Sequence, residues 1–274
     1  SEHTGKKRIL LASFFTLLND RMSESLLVGL LPGFFLQFLG SASIYTYIAG
    51  TYSFAQFIAA PLIGIYSDKY GRRPVMLVCI SGSILGISIV AFTLLFNWSN
   101  IKYVLPAVPL LPIYLLFIAR LIDGISGGTV ATATTVLADI STPETRAKTF
   151  GLIGVAFGLS FLLGPTISFI FIGQSTNSYL IPVLIATIIP FINFLLVFFY
   201  LPETKPREDN ILSNQPKSNP FKGIFAPFKE NNIKRLSLAF FIYFIAFTGL
   251  TTILVFFLQN SLLWSIKDSL GPLI

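Results

Sequence analysis

The chain has 274 residues, of which 54% are hydrophobic and 11% are charged, and its mean hydropathy is +0.77. This composition excludes an ordinary soluble domain and predicts an all-α integral membrane protein. The formal net charge of +7 is compatible with either nucleic acid or anionic lipid. Most of the basic residues lie between apolar runs, so we interpret them as an orientation signal that faces the lipid bilayer, and we expect no nucleic-acid partner.

Apolar runs of about 20 residues or more predict seven membrane crossings. The basic connecting segments place the N-terminus in the cytoplasm, because Lys and Arg collect in cytoplasmic loops. We therefore expect a multi-pass protein of the plasma membrane. The predicted crossings cover residues 9–38, 44–66, 75–96, 110–138, 149–172, 179–201 and 236–259.

A proline-rich, charged segment divides the crossings into two groups. Residues 202–235 contain five prolines and have a composition that cannot bury a core, which predicts a cytoplasmic linker. The linker follows an N-terminal six-helix bundle at 1–201 and precedes the start of a second bundle at 236–274. Within it, residues 221–228 have apolar side chains at helical spacing, so this stretch is either a short interfacial helix or an irregular loop.

The first crossing contains ionisable residues, and each costs roughly 2.5 to 3.5 kcal/mol at a helix centre on the insertion scale. Asp20 and Glu24 lie on one face at i, i+4, and Arg21 is spaced to pair with Glu24. Two interpretations remain open. Either the local pair neutralises itself, or a membrane acid takes up and releases a proton as the site opens to each side.

The fourth crossing contains a second charged cluster. Arg120 keeps its charge, so it needs water or a carboxylate partner, for which Asp20, Glu24 and Asp123 are the candidates. Asp123 is three residues away and would give a purely structural pair, while the glycines that follow, starting with Gly124, would let another helix approach. We expect coupling of protons and substrate to involve Asp20, Glu24, Arg120 and Asp123.

The fifth crossing contains small residues at helical spacing, a pattern that is common in helix bundles. A proline near its end removes one backbone hydrogen bond and is expected to bend the helix. The residues of this motif are Gly151, Gly154, Gly158, Gly164 and Pro165.

A polar hinge at residues 64–74 joins the second and third crossings. It is so short that the two helices must be antiparallel neighbours, and its bases place it in the cytoplasm. The hinge could be a simple positive-inside anchor, but an anchor would not require Asp68, Gly64 or Gly71.

The hinge resembles the loop between helices two and three of the major facilitator superfamily, where the pattern is Gly, three residues, Asp, Arg or Lys, any residue, Gly and two bases. Gly64, Asp68, Lys69, Gly71, Arg72 and Arg73 match every position. The two later clusters resemble motifs of the drug/proton antiporter branch at Leu116, Arg120, Gly124, Gly151, Gly164 and Pro165. Departures from those motifs are Asp123 in place of Gln and Ser160, Ser168 and Phe169 in place of glycines. Residues 137–148 and 201–204 also look like the tetracycline-exporter group.

The resemblance implies alternating access between two six-helix bundles, of which the chain would hold the N-terminal part, so that full function needs the missing C-terminal bundle. It implies a bacterial inner-membrane location, a latch in which Arg72 pairs with Asp139 to hold an outward-open state, and machinery in which Arg120 faces Asp20 or Glu24. The expected latch residues are Gly64, Asp68, Lys69, Gly71, Arg72, Arg73 and Asp139.

From these features we expect a proton-coupled exporter of small amphipathic or drug-like compounds. The alternatives are a proton-coupled importer of sugars or organic acids, and a receptor or assembly subunit that does not transport. We expect no enzyme and no cofactor. The sequence has no Gly-rich phosphate loop ending in Lys-Ser or Lys-Thr, and its one histidine, His3, is terminal, which leaves no His-based metal site.

Overall fold

The fold is all-α, as the composition predicts. The computed structural model describes residues 2–38, 42–96, 111–171, 180–204 and 231–261. The regular secondary structure of these residues is entirely helical. The helices are α1 (Glu2–Phe38), α2 (Ala42–Tyr70), α3 (Arg72–Leu95), α4 (Leu111–Ser126), α5 (Thr129–Asp139), α6 (Arg146–Phe171), α7 (Leu180–Tyr200) and α8 (Asn231–Ser261).

Six spans within the described residues are long and apolar enough to cross a membrane, and they correspond to the second to seventh predicted crossings. The first predicted crossing lies on α1, which has 37 residues but is not among these six spans. The reason is chemical, because Asp20, Arg21 and Glu24 interrupt its apolar sequence. Since α1 packs against α5, α6 and α7, these charges lie inside the bundle and not against lipid.

The predicted fourth crossing is not one continuous helix. It divides at Gly127 and Gly128 into α4 and α5, and the N–H of Gly127 donates to the carbonyl of Gly124 at 3.0 Å. A side chain at Gly128 would collide with Ile63, so the close contact of this turn with α2 depends on glycine. Hydropathy did not reveal the break, because the apolar pattern continues through it.

Other predicted features fall outside the described residues or differ at their boundaries. The expected amphipathic stretch at 221–228 lies outside the described residues, as does most of the linker. The last helix begins at Asn231, five residues before the predicted start at 236. The three-part domain division stays a prediction.

The two largest of three apolar clusters connect the helices of the described bundle, and α1, α3 and α7 contribute to both. One cluster joins them to α2 and α4, and includes Leu31, Ile48, Val90, Leu116 and Val183. The other joins them to α5 and α6, and includes Leu17, Met76, Val136, Ala156 and Val197. The charged segment of α1 therefore lies between two apolar layers.

Glycines allow two of the close helix contacts. A Cβ atom at Gly124 would lie 2.5 Å from the backbone oxygen of Tyr52 on α2, and one at Gly164 would collide with Ser25 on α1. Pro165 lies within α6, beside this second contact. In contrast, a Cβ atom added at Gly154, or at the glycines at 151 and 158, would have no heavy atom of the described residues within 4 Å. This comparison leaves out the backbone of the same helix and the two chain neighbours of each glycine.

This difference predicts opposite effects for two identical substitutions. Gly124→Ala forces α4 away from α2 and should destabilise the fold by about 1 to 3 kcal/mol, the usual cost of overpacking. Gly154→Ala is the matched control, and it should leave the melting temperature unchanged or raise it slightly, because alanine favours a helix. Thermal unfolding of the purified protein in detergent tests both variants, and equal melting temperatures would refute the packing argument.

Candidate functional site

A charged cluster lies at the middle of α1. Arg21 Nη2 is 2.6 Å from Asp20 Oδ2, and Arg21 Nη1 pairs with Glu24 Oε2. The guanidinium group also lies over the ring of Phe157 on α6, 5.4 Å from the ring centroid. One arginine is thus shared by two carboxylates, and the local pair expected from the sequence is present.

The second cluster pairs residues of one helix. Arg120 Nη1 is 2.9 Å from Asp123 Oδ2, and both side chains are nearly buried. Of the three candidate partners, the structure pairs Arg120 with Asp123, and the role of Arg120 together with Asp20 or Glu24 stays a prediction. Asp123 is three residues away on the same helix face, whereas Asp20 and Glu24 both bond to Arg21. The guanidinium of Arg120 also lies 4.6 Å from the ring centroid of Tyr52 on α2, and its Nε has no hydrogen-bond partner in the described part of the chain.

The two clusters together carry an excess of negative charge. Three carboxylates, on Asp20, Glu24 and Asp123, face two guanidinium groups, so the set has a net charge of −1 when all five residues are ionised. An unbalanced charge inside a membrane is expensive, because water and ions do not screen it there. The arrangement therefore favours uptake of one positive charge.

A cavity of about 440 Å³ opens beside these clusters, between α1, α2, α4, α5, α6 and α8. Arg21, Glu24 and Arg120 are part of its wall. Aromatic rings form much of the remainder, and they belong to Tyr45, Tyr52, Phe157, Phe161, Phe244 and Phe247. The size and mixed lining suit a small molecule with an apolar body and a polar or charged group.

Short polar side chains, two serines and one asparagine, position α1 against its neighbours. Ser25 Oγ donates to the carbonyl of Ser160 at 2.8 Å, and Ser160 Oγ is 2.8 Å from the carbonyl of Leu18. On the other side, Asn19 Nδ2 donates to the carbonyl of Ile189 at 2.8 Å. Ser160, which departs from the glycine pattern of the antiporter motif, therefore links α6 to the charged segment of α1.

The hinge forms a second polar site where α2, α3 and α5 meet. Arg72 lies 3.1 Å from Asp139 Oδ2 through Nε and 2.9 Å from Asp68 Oδ1 through Nη2. Its Nη1 donates to Ser67 Oγ at 2.9 Å. The side chain is buried although it is charged, so Arg72 joins three helix ends. The structure contains the Arg72–Asp139 pair that the resemblance implies, and it adds Ser67.

The remaining hinge residues differ in their surroundings. Lys69 Nζ lies over the ring of Tyr70, and Arg73 donates to the carbonyl of Phe198. A Cβ atom added at Gly64 would contact no heavy atom of the described residues within 4 Å, apart from its own helix backbone and chain neighbours. Packing in the described bundle therefore does not explain Gly64.

Glu203, which was not among the residues expected from the sequence, holds the start of α3. Its carboxylate accepts hydrogen bonds from the backbone N–H groups of Arg72 at 2.8 Å and Arg73 at 3.2 Å. Gly71 has a φ of 101°, and a Cβ there would lie 2.5 Å from Glu203 Oε2. A carboxylate stabilises the exposed N–H groups and the positive end of a helix. The available signal was Leu201-Pro202-Glu203-Thr204, in which the acid directly follows a membrane helix.

The fold and site define a helical, multi-pass membrane protein with a charged, aromatic-lined cavity at its centre. Residues 9–274 match the Major Facilitator Superfamily, and the chain belongs to this superfamily of membrane transporters. The resemblance inferred from the hinge is thereby confirmed.

Individual relatives agree with this assignment. The chain is 34% identical to tetracycline resistance protein class B from Escherichia coli, over 73% of the chain and 45% of that protein. It is 27% identical to mouse major facilitator superfamily domain-containing protein 10, over 92% of the chain and 60% of that protein. The chain spans about half the length of the relatives it matches.

A solved structure shares the fold. The crystal structure of the human organic anion transporter MFSD10 (TETRAN) superposes with a TM-score of 0.68 at 24% identity, and the match covers 96% of this chain and 68% of that one. At this identity the comparison establishes the arrangement of the helices.

The Glu203 contact predicts a stability effect. Glu203→Ala should destabilise the protein by about 1 kcal/mol, because two N–H groups at the start of α3 lose their acceptor. Thermal unfolding at neutral pH measures the change. Glu144→Ala is the control, because Glu144 is an exposed acid in the turn before α6, and it should lower the melting temperature less, since interactions of exposed charges contribute little. A Glu203 variant as stable as the Glu144 variant would argue against the capping role.

Proposed function

We propose that the protein is a secondary active transporter that exports small amphipathic compounds in exchange for protons by alternating access. The observation that carries the proposal is the contact between an aromatic-lined cavity and a charge cluster with one excess carboxylate. Tetracycline resistance proteins, whose name describes protection against a small drug, are among the relatives. Coupling of this kind needs a site that binds the cargo and a nearby group that gains and loses a proton.

Asp20 and Glu24 are the proposed proton acceptors, because both share Arg21. Protonation of one carboxylate removes a partner of Arg21 and brings the net charge of the two clusters to zero. The guanidinium group can then interact more strongly with the other acid or with cargo in the cavity, where Arg21 is part of the wall. Proton binding and cargo binding are thereby linked through one side chain.

The hinge is proposed to hold one of the two transport states. Arg72 and Asp139 connect α3 to α5, and Asp68 would lie near the start of a partner helix in the second bundle of the complete transporter. Breaking these ion pairs would let the bundles rock. The proposal includes the C-terminal bundle that full function requires, a bacterial inner-membrane location and a cytoplasmic N-terminus.

A second candidate cargo is an organic anion, which would correspond to transport of organic acids. Arg120 is part of the cavity wall, and its buried Nε–H has no acceptor in the described residues. A carboxylate bound there would accept this hydrogen bond, while its apolar body packed against the aromatic rings. Human MFSD10, whose structure shares this fold, is described as an organic anion transporter.

Substitution of the α1 acids tests proton coupling. Asp20→Asn or Glu24→Gln should reduce transport driven by a pH gradient by about tenfold or more, which corresponds to an increase of about 1.4 kcal/mol in the activation free energy of transport. The assay is substrate flux in proteoliposomes that contain the full-length protein. Glu144→Gln is the matched control and should transport at the wild-type rate.

Three outcomes would decide against proton-coupled export. Wild-type flux in both acid variants would remove the proposed role of the acids. Cargo uptake along with protons, with no exchange, would favour an importer. Saturable ligand binding without flux in the unmodified protein would favour a receptor.

Substitution of Arg120 tests the organic-anion candidate. Arg120→Gln should weaken binding of an aromatic carboxylate by about tenfold or more, since a charge-assisted hydrogen bond contributes roughly 1.5 to 3 kcal/mol, and it should change binding of the matching aromatic amide much less. Competition against transported substrate measures both affinities. Equal losses for acid and amide would show that Arg120 supports the fold and does not select the anion. Arg120→Lys serves as the charge-retaining control.

A further inference from the structure

A second, much smaller chamber lies beside the cavity. It has a volume of about 20 Å³ and is enclosed by residues of α1, α2, α3, α4, α5 and α7. This volume has room for one occupant of about the size of a water molecule. The chamber is separate from the space that would hold cargo, although Glu24 and Tyr52 belong to the walls of both.

The acidic and basic residues line different spaces, except that Glu24 lines both. Asp20, Glu24 and Asp123 are all part of the chamber wall, which includes neither Arg21 nor Arg120. Both arginines belong instead to the wall of the larger cavity. The chamber is therefore the place where the excess negative charge of the cluster is best neutralised by a bound cation.

Neutral oxygen atoms in the chamber wall also need a partner. Asn19 is 7% exposed and Ser23 is 5% exposed. Their Oδ1 and Oγ atoms are buried and form no hydrogen bond within the described residues. Since Asn19 Nδ2 already donates to the carbonyl of Ile189, its Oδ1 can only accept a hydrogen bond or coordinate a cation.

We propose that the chamber binds one dehydrated monovalent metal cation, Na⁺ or K⁺, through the oxygen atoms of Asn19, Ser23 and the adjoining carboxylates. A charge of +1 brings the cluster to neutrality, whereas a divalent ion would leave an excess of positive charge. No group of three or more His, Cys, Asp or Glu side chains is placed to hold a metal ion in the part of the chain that the structure describes. An alkali cation does not need such a group, because neutral oxygens can supply most of its ligands.

The inference extends the proposed function, since it names an ion that would compete with the proton at the same acids. Sodium ions and protons are both known to occupy mid-membrane sites of secondary transporters. The titratable or charged groups around the chamber are Asp20, Arg21 and Glu24 on α1, Tyr52 on α2, Cys79 on α3, and Arg120 and Asp123 on α4. Protonation of any of the three acids would remove the negative charge that attracts the metal cation.

Ion-dependent stability tests the inference without requiring transport. The full-length protein is unfolded thermally in NaCl, KCl or choline chloride at equal ionic strength, at about pH 8, where free carboxylates are ionised. Choline is too large for the chamber. We expect Na⁺ or K⁺ to raise the melting temperature in a saturable way, as for any ligand that binds the folded state. The increase should shrink at about pH 5, where protons compete for the carboxylates.

Two serines of α1 provide matched variants. Ser23→Ala removes a chamber oxygen and should weaken cation binding by about tenfold, which corresponds to about 1.4 kcal/mol. Ser13 is also buried, and its hydroxyl has no partner in the described residues, but it is not part of the chamber wall. Ser13→Ala should therefore bind the cation like the unmodified protein. Binding of radiolabelled sodium, with unlabelled K⁺ as competitor, gives the affinities directly.

Each result distinguishes this inference from the proposed function. Equal melting temperatures in all three salts, together with no saturable sodium binding that K⁺ can displace, would show that the chamber holds only water or a proton. Equal weakening by Ser23→Ala and Ser13→Ala would place the cation elsewhere. If Ser23→Ala does not fold, Ser83→Ala, which alters the α3 side of the chamber wall, replaces it. Proton-driven flux without cation binding would overturn the chamber proposal and leave proton-coupled transport standing.

Discussion

The need to bury ionised groups governs the arrangement of this bundle. Arg21 cannot lose its proton, and its position on α1 would be expensive against lipid, so α1 must lie inside the bundle with a carboxylate close to the guanidinium. Its neighbours on α6 and α7 supply the apolar layers and backbone acceptors that fix the helix, as Ser25 and Asn19 show. A third carboxylate, on Asp123, leaves the two clusters with a net charge of −1 when all five residues are ionised.

The acids and the arginines form ion pairs but line different spaces, except for Glu24, which lines both. Carboxylates border the small chamber, guanidinium groups border the large cavity, and Glu24 and Tyr52 belong to both walls. Charges separated by one side chain in a low-dielectric interior interact strongly. A cation in the chamber and cargo in the cavity would therefore affect each other's binding free energy, and the effect must be equal in both directions. Coupling of this kind requires no contact between the two ligands.

Local patterns predicted features that depend on neighbouring residues and missed most of those that depend on distant ones, whereas the family resemblance implied the distant Arg72–Asp139 pair. Hydropathy located the helices, and i, i+3 spacing suggested the Arg21–Glu24 pair. The break at Gly127 was missed because a hydropathy average does not register two glycines, and the partner of Arg120 was left open because three acids were available. Glu203 is 131 residues from the N–H of Arg72 that it caps. The chamber needs residues from six helices, so no local pattern identifies it.

The short helix α5 connects the hinge to the central site. Thr129, at its first position, is part of the chamber wall, and Val130 and Ala131 belong to the cavity wall. Asp139, at its last position, pairs with Arg72. The 11 residues of α5 place these ends about 15 Å apart, because ten steps of about 1.5 Å separate the first residue from the last. Gly127 and Gly128 separate α5 from α4, so α5 is a helix of its own. Its 11 residues connect the hinge ion pair to the walls of both binding spaces.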